Sequence, residues 1–171
     1  HQSALNARQI DIAITSELIR NEAGYRVIPV LDEPFYLVLP ESYDGDPGDI
    51  AEISARLSLV RFGVATPVGR RTDQHLQRCR LFFPRAMEAY RSSMVVAGVV
   101  TGKCFAILSP SLLIDAVAEG MKLKIVPLPF PGFRRRIQVV ARSGEFDRIA
   151  DALAAECAGI LRHHFLMRFP E

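Results

Sequence analysis

Tryptophan is absent from this sequence, and its 171 residues include only three cysteines and four histidines. Cys79, Cys104 and Cys157 lie far apart, are odd in number and form no CxxC pair. They exclude a disulfide framework and read as free thiols of a reducing compartment, here the cytoplasm. The histidines fit no metal-ligand spacing. His163 and His164 are neighbours, and adjacent side chains on a helix point about 100° apart, so they do not readily share an ion. No apolar run approaches the roughly 20 residues of a membrane-spanning helix. The stretch from His1 to Arg8 lacks the apolar segment of a secretory signal. An excess of either charge is missing too. The 21 Lys and Arg against 19 Asp and Glu leave a formal charge of +2, no electrostatic footprint for nucleic acid on this segment. The catalytic signatures GxSxG, GxGxxG, HExxH and the Gly-rich phosphate loop ending in Lys are all absent. Asp11, Glu33 and Asp73 are candidate acids or bases, but none is paired at a telling spacing. No enzyme activity, metal or cofactor is expected.

What is present is the material of a packed core. Apolar residues make up 49% of the chain and mean hydropathy is +0.14, enough for one large domain or two small lobes. Short β-type runs cover Ile10–Ile14, Tyr25–Leu31 and Pro34–Leu39; Pro29 inside the second argues for an edge strand or a bulge. The stretch from Pro40 to Asp49 is dense in turn formers and is the best linker candidate. Asp49 then caps a short helix over Ile50–Arg56. A strand over Leu57–Arg61, a loop over Gly63–Gly69 and a helix over Arg70–Arg80 follow. Ser92 or Ser93 caps an apolar, buried helix that Gly102 closes in the left-handed region. Cys104–Leu108 reads as a buried strand, and Ser109-Pro110 opens a helix to about Glu119. Strands over Leu123–Leu128 and Arg135–Arg142 precede a long helix over Glu145–His163, whose apolar residues recur every three or four positions. This alternation predicts an α/β fold with largely parallel sheets and right-handed crossovers.

Three stretches carry a resemblance: Leu5–Ile14 (LNARQIDIAI), Val30–Pro40 (VLDEPFYLVLP) and Val99–Pro110 (VVTGKCFAILSP). In this order, with the closing strand and helix, they resemble the effector-binding domain of LysR-type transcriptional regulators. Cys104, where the family carries a second Gly, and the charge of Lys103 depart from that pattern. The resemblance implies a periplasmic-binding-protein-like (type II) architecture of two α/β lobes joined by two crossovers. Lobe one would hold residues 1–43 and 127–171, and lobe two residues 44–126. It further implies that two strands of lobe one and a winged helix-turn-helix that binds DNA lie outside this sequence, leaving lobe one incomplete. A small effector would sit in the cleft between the lobes, and the chain would pair into a homodimer or tetramer. Without their neighbours, the strands at Ile10–Ile14 and Phe35–Leu39 would present open edges.

The candidate effector-binding residues are Arg61, Thr66, Arg70, Ser92 and Ser109. Arg61 and Arg70 flank a loop after a strand end, where they either hold a carboxylate, with Thr66 as a further donor and Arg71 adjacent, or stand as solvated arginines on a turn. Ser92 and Ser93 either offer helix-start N–H groups to an anion or are ordinary caps, and Ser109 before Pro110 poses the same choice. Thr101, Gly102 and Lys103, at the far end of their helix, read as structural. Alternation along a strand puts Arg134 and Arg136 on one face and Arg135 on the other. The expected function is an effector-sensing domain that binds a small anionic metabolite and couples it to DNA binding elsewhere in the protein. The alternative is an extracytoplasmic solute-binding protein of the same architecture.

Overall fold

Short strands and helices alternate along the chain in the computed structural model, which describes residues 1–17, 19, 22–118 and 120–168. The order is α1 (Gln2–Asn6), β1 (Ile12–Thr15), β2 (Tyr25–Pro34), β3 (Tyr36–Pro40), α2 (Ile50–Arg56), β4 (Ser58–Phe62), α3 (Pro67–Arg78) and β5 (Arg85–Ala89). Then come α4 (Ser92–Val100), β6 (Cys104–Leu108), α5 (Pro110–Ala116), β7 (Leu123–Pro127), β8 (Arg134–Arg142) and α6 (Asp147–Arg168). The chain divides into two compact units, His1–Glu33 with Arg134–Glu171, and Pro34–Phe133.

The first unit is built on a three-stranded sheet ordered β1-β8-β2. β1 runs antiparallel to β8, with Ile12 opposite Ala141. The two-residue period of a strand sends Val139 and Ala141 to one face and Val140 to the other. The first pair packs against Ala150 and Ala154 of α6, while Val140 packs with Leu5, Ala13 and Ile19. β2 lies at an edge of this sheet, so Pro29 sits where a missing ladder donor is tolerated. The basic run at the start of β8 alternates as its spacing requires. Arg134 and Arg136 are exposed and meet Asp32 at 3.2 and 3.9 Å. Arg135 is buried, and its Nε donates to Glu33 at 2.6 Å.

The second unit carries a five-stranded sheet ordered β5-β4-β6-β3-β7. β4 is parallel to β5 and β6, and β3 is antiparallel to both β6 and β7. Leu37, Leu39, Val60, Phe105 and Leu108 are buried in its core. The Asp49 carboxylate accepts from the amides of Ala51 and Glu52 and so caps α2. His75 on α3 is buried, stacks on Phe133 with ring centroids 4.2 Å apart and hydrogen-bonds the Pro131 carbonyl at 2.6 Å. Phe133 in turn stacks on Phe35 at 4.1 Å, so α3 grips both places where the chain enters and leaves this unit.

Several expectations need correction. The second sheet is mixed rather than largely parallel, because β3 and β7 carry the chain into and out of the second unit as antiparallel neighbours, and in the first sheet β1 and β8 are antiparallel. The units divide at Glu33/Pro34 and Phe133/Arg134, not at 43 and 127, because β3 pairs with β6 and β7 in the second sheet. For the same reason the strand at Phe35–Leu39 presents no open edge; of the two strands expected to do so, only β1 does. The expected loop over Gly63–Gly69 is already helical from Pro67. Arg85–Ala89, to which the sequence assigns no element, is a strand although its residues favour helix. α5 ends at Ala116, short of Glu119, which lies outside the described residues.

Candidate functional site

Three parallel strands end side by side in the second unit. β4 is bonded to β5 on one side and β6 on the other, and Phe62 at the end of β4 lies opposite Ala89 at the end of β5. At its carboxyl end each strand leads into a helix: α3 after β4, α4 after β5 and α5 after β6. Open α/β sheets bind ligands at this end, where helix N–H groups lack intrahelical partners. All five candidate residues named above lie there, although the geometry gives them different tasks.

Arg61 is only 8% exposed, and its guanidinium is already committed. Nη1 donates to Asp73 on α3 at 2.5 Å, and Nη2 reaches Glu88 on β5 at 3.5 Å. Its Nε has no partner among the described residues. Arg61 therefore braces α3 and β5 against β4 and is not the free carboxylate clamp that its position in the sequence suggests. Thr66 is the N-cap of α3; its hydroxyl accepts from the Gly69 amide at 3.0 Å and donates to the Gly63 carbonyl at 2.8 Å. Both hydroxyl functions are thus spent on shaping the loop. Arg70 is exposed and donates to the Ala65 carbonyl at 2.7 Å, which lays its charge along the same loop. Ser92 is the first helical residue of α4 and not its cap, a position held by Arg91. The Ser92 hydroxyl donates to the Asp115 carboxylate on α5. Ser109 is the N-cap of α5 by position and is fully buried, without a side-chain cap bond.

Two close approaches shape the loop after β4. A Cβ added at Gly69 would stand 2.2 Å from the Gly63 carbonyl oxygen, so α3 rests directly on that backbone. On the other side, a Cβ at Gly63 would stand 2.8 Å from the Tyr90 ring. The Gly63 amide donates to the Ala89 carbonyl at 3.0 Å and ties the two strand ends together. Asp73 is legible in the sequence only as a candidate acid or base, not as a partner of Arg61, and Tyr90, Arg91 and Glu88 escape sequence reasoning. No motif marks them, and only the parallel pairing of β4 with β5 brings Tyr90 and Glu88 to this place.

A groove of about 690 Å³ lined by Pro40, Ser42, Val100, Met121 and Lys122 lies at the far end of α4 and holds none of the candidate residues. Cys79, Cys104 and Cys157 are free thiols, and burial pushes the Cys104 thiol upward, away from thiolate character. Among the described residues no group of three or more His, Cys, Asp or Glu could hold a metal ion, and no helix is long and apolar enough to cross a membrane.

A family model described as the LysR substrate binding domain matches residues 1–162. No curated protein sequence matches the chain. Several solved structures share the fold. The reduced form of the OxyR2 regulatory domain from Vibrio vulnificus has a TM-score of 0.69 at 17% identity, over 94% of this chain and 76% of that one. The reduced form of the OxyR regulatory domain from Pseudomonas aeruginosa has a TM-score of 0.68 at 21% identity, over 91% of this chain and 76% of that one. The effector-binding domain of QuiR in complex with shikimate has a TM-score of 0.67 at 16% identity, over 95% of this chain and 75% of that one.

Proposed function

The chain belongs to the LysR substrate binding domain family, and from that premise we propose that it senses a small anionic effector at the carboxyl ends of β4 and β5. The observation that carries this reading is that β4 and β5 end side by side, tied by the bond from the Gly63 amide to Ala89, and that α3 and α4, which follow them, carry the exposed cations Arg70 and Arg91 at their amino ends. Backbone N–H groups and guanidinium groups together favour a carboxylate over a neutral ligand. Arg61, Thr66 and Ser92 hold the site in shape through Asp73, Gly69 and Asp115. Ser109 is buried where β6 passes into α5.

Sensing requires no bond to be made or broken. An effector that binds one conformation or assembly more tightly than another shifts the population between them, by no more than that difference in affinity. DNA binding belongs to another part of the regulator, in keeping with the formal charge of +2 on this segment, and the place of action is the cytoplasm. Family membership favours this reading over a solute-binding protein that serves a transporter.

Thermal unfolding in the presence of a panel of mono- and dicarboxylates tests the proposal. At least one anion should raise the midpoint, and Arg70→Glu should weaken its binding about tenfold, the scale of one charge-assisted hydrogen bond. An unchanged midpoint with every anion, or an Arg70→Glu variant that binds as tightly as the parent, overturns it.

A further inference from the structure

We propose that Tyr90 selects the effector, and that the class it selects is a carboxylate carried on a flat ring. The inference rests on the anion-sensing reading above and deepens it. Tyr90 follows the last residue of β5 and precedes Arg91, the cap of α4. Its ring lies over the backbone of Gly63, close enough that a Cβ there would meet it at 2.8 Å. The bond from the Gly63 amide to Ala89 fixes the two chain segments that set this contact. Tyr90 nonetheless remains 64% exposed, and Val64 beside the same loop is 44% exposed. An aromatic ring and a branched apolar side chain are thus held open to water beside the neighbouring ends of β4 and β5, from which α3 and α4 lead off with the exposed Arg70 and Arg91.

A flat apolar surface bordered by cations complements a ligand that is flat and apolar at one end and anionic at the other. A ring stacked on the open face of Tyr90 would remove apolar area from water on both partners and add the preference of aromatic pairs for offset or edge contacts. An open-chain dicarboxylate would satisfy the cations but leave Tyr90 and Val64 wet. The first residue of the loop must then be Gly, because any side chain there displaces the ring.

Calorimetric titration of the chain with benzoate, nicotinate, succinate and acetate tests this. Benzoate or nicotinate should bind more tightly than succinate. The ratio of ring-acid to succinate affinity should fall about three- to tenfold in Tyr90→Ala, the scale of one aromatic contact. It should recover in Tyr90→Phe and fall again in Gly63→Ala. Succinate binding as tightly as the ring acids, or a ratio unmoved by Tyr90→Ala, overturns the role of Tyr90 while leaving an anion site in place. Failure of all four acids to bind overturns the selection and the anion site together.

Discussion

Arginine does most of the electrostatic work in this chain, and burial decides what each pair is worth. Glu33 is 1% exposed, and Arg135, its partner at 2.6 Å, is buried beside it. Removing one charge from such a pair strands the other away from water. Glu33→Gln should therefore lower stability by about 3–5 kcal/mol in urea unfolding, while Asp32→Asn, whose arginine partners are exposed, should change it little. Acid sensitivity has a separate source. Hydrogen bonds from Arg142, and then from Arg8, hold the Glu145 carboxyl below its ordinary value of 4.5. A lowered carboxylate stabilises the folded state above its unfolded value, and that contribution disappears as pH falls through the folded one. Unfolding midpoints followed from neutral pH to below 4.5 should thus decline less steeply in Arg142→Met than in the parent. The charges themselves are legible in the sequence, but their pairing is not. Glu33 and Arg135 stand 102 positions apart, and nothing local links them.

Elements governed by local chemistry are the ones that sequence reading recovers. The span of α2 follows from the Asp49 cap, β6 from a run of buried apolar residues, and the amino end of α5 from Ser109-Pro110. Elements imposed by neighbours escape it. Arg85–Ala89 reads RAMEA, a helix-favouring string, yet becomes a strand because β4 offers a parallel edge. Arg91 caps α4 by backbone conformation alone, so Ser92 slips inside the helix and turns its hydroxyl to Asp115. At the candidate site this means that the loop and its arginines are visible in the sequence, whereas the brace on Arg61 and the ring of Tyr90 are not. α3 supplies a direct test of the local part. Thr66 satisfies the Gly69 amide and a loop carbonyl, so Thr66→Ala should cost about 1 kcal/mol and Thr66→Asn much less. If Thr66 served the ligand instead of the helix, both variants would lose binding without a change in melting temperature.

At the scale of the molecule, the edge of the first sheet at β1 bears on association between copies. Among the described residues β1 ends the three-stranded sheet, so its outer N–H and C=O groups meet no other described strand. Ile14 on that strand is 47% exposed, which adds an apolar side chain to an edge already suited to pairing. Soluble proteins usually blunt such an edge with lysine, proline or a bulge, and IAIT has none of these. For this 171-residue segment taken alone, without the two further strands of lobe one that the resemblance implies, two copies that meet along β1 would satisfy the ladder and bury Ile14 in one step, and a two-fold contact of this kind closes without forming a filament. Light scattering at micromolar concentration should therefore give twice the chain mass of 19.0 kDa. Ile14→Lys should shift the mass toward one chain while leaving the circular dichroism spectrum in place, because the substitution lies on the outer strand and not in either core cluster. A single-chain mass for the parent would mean that β1 tolerates its open edge unaided in this segment.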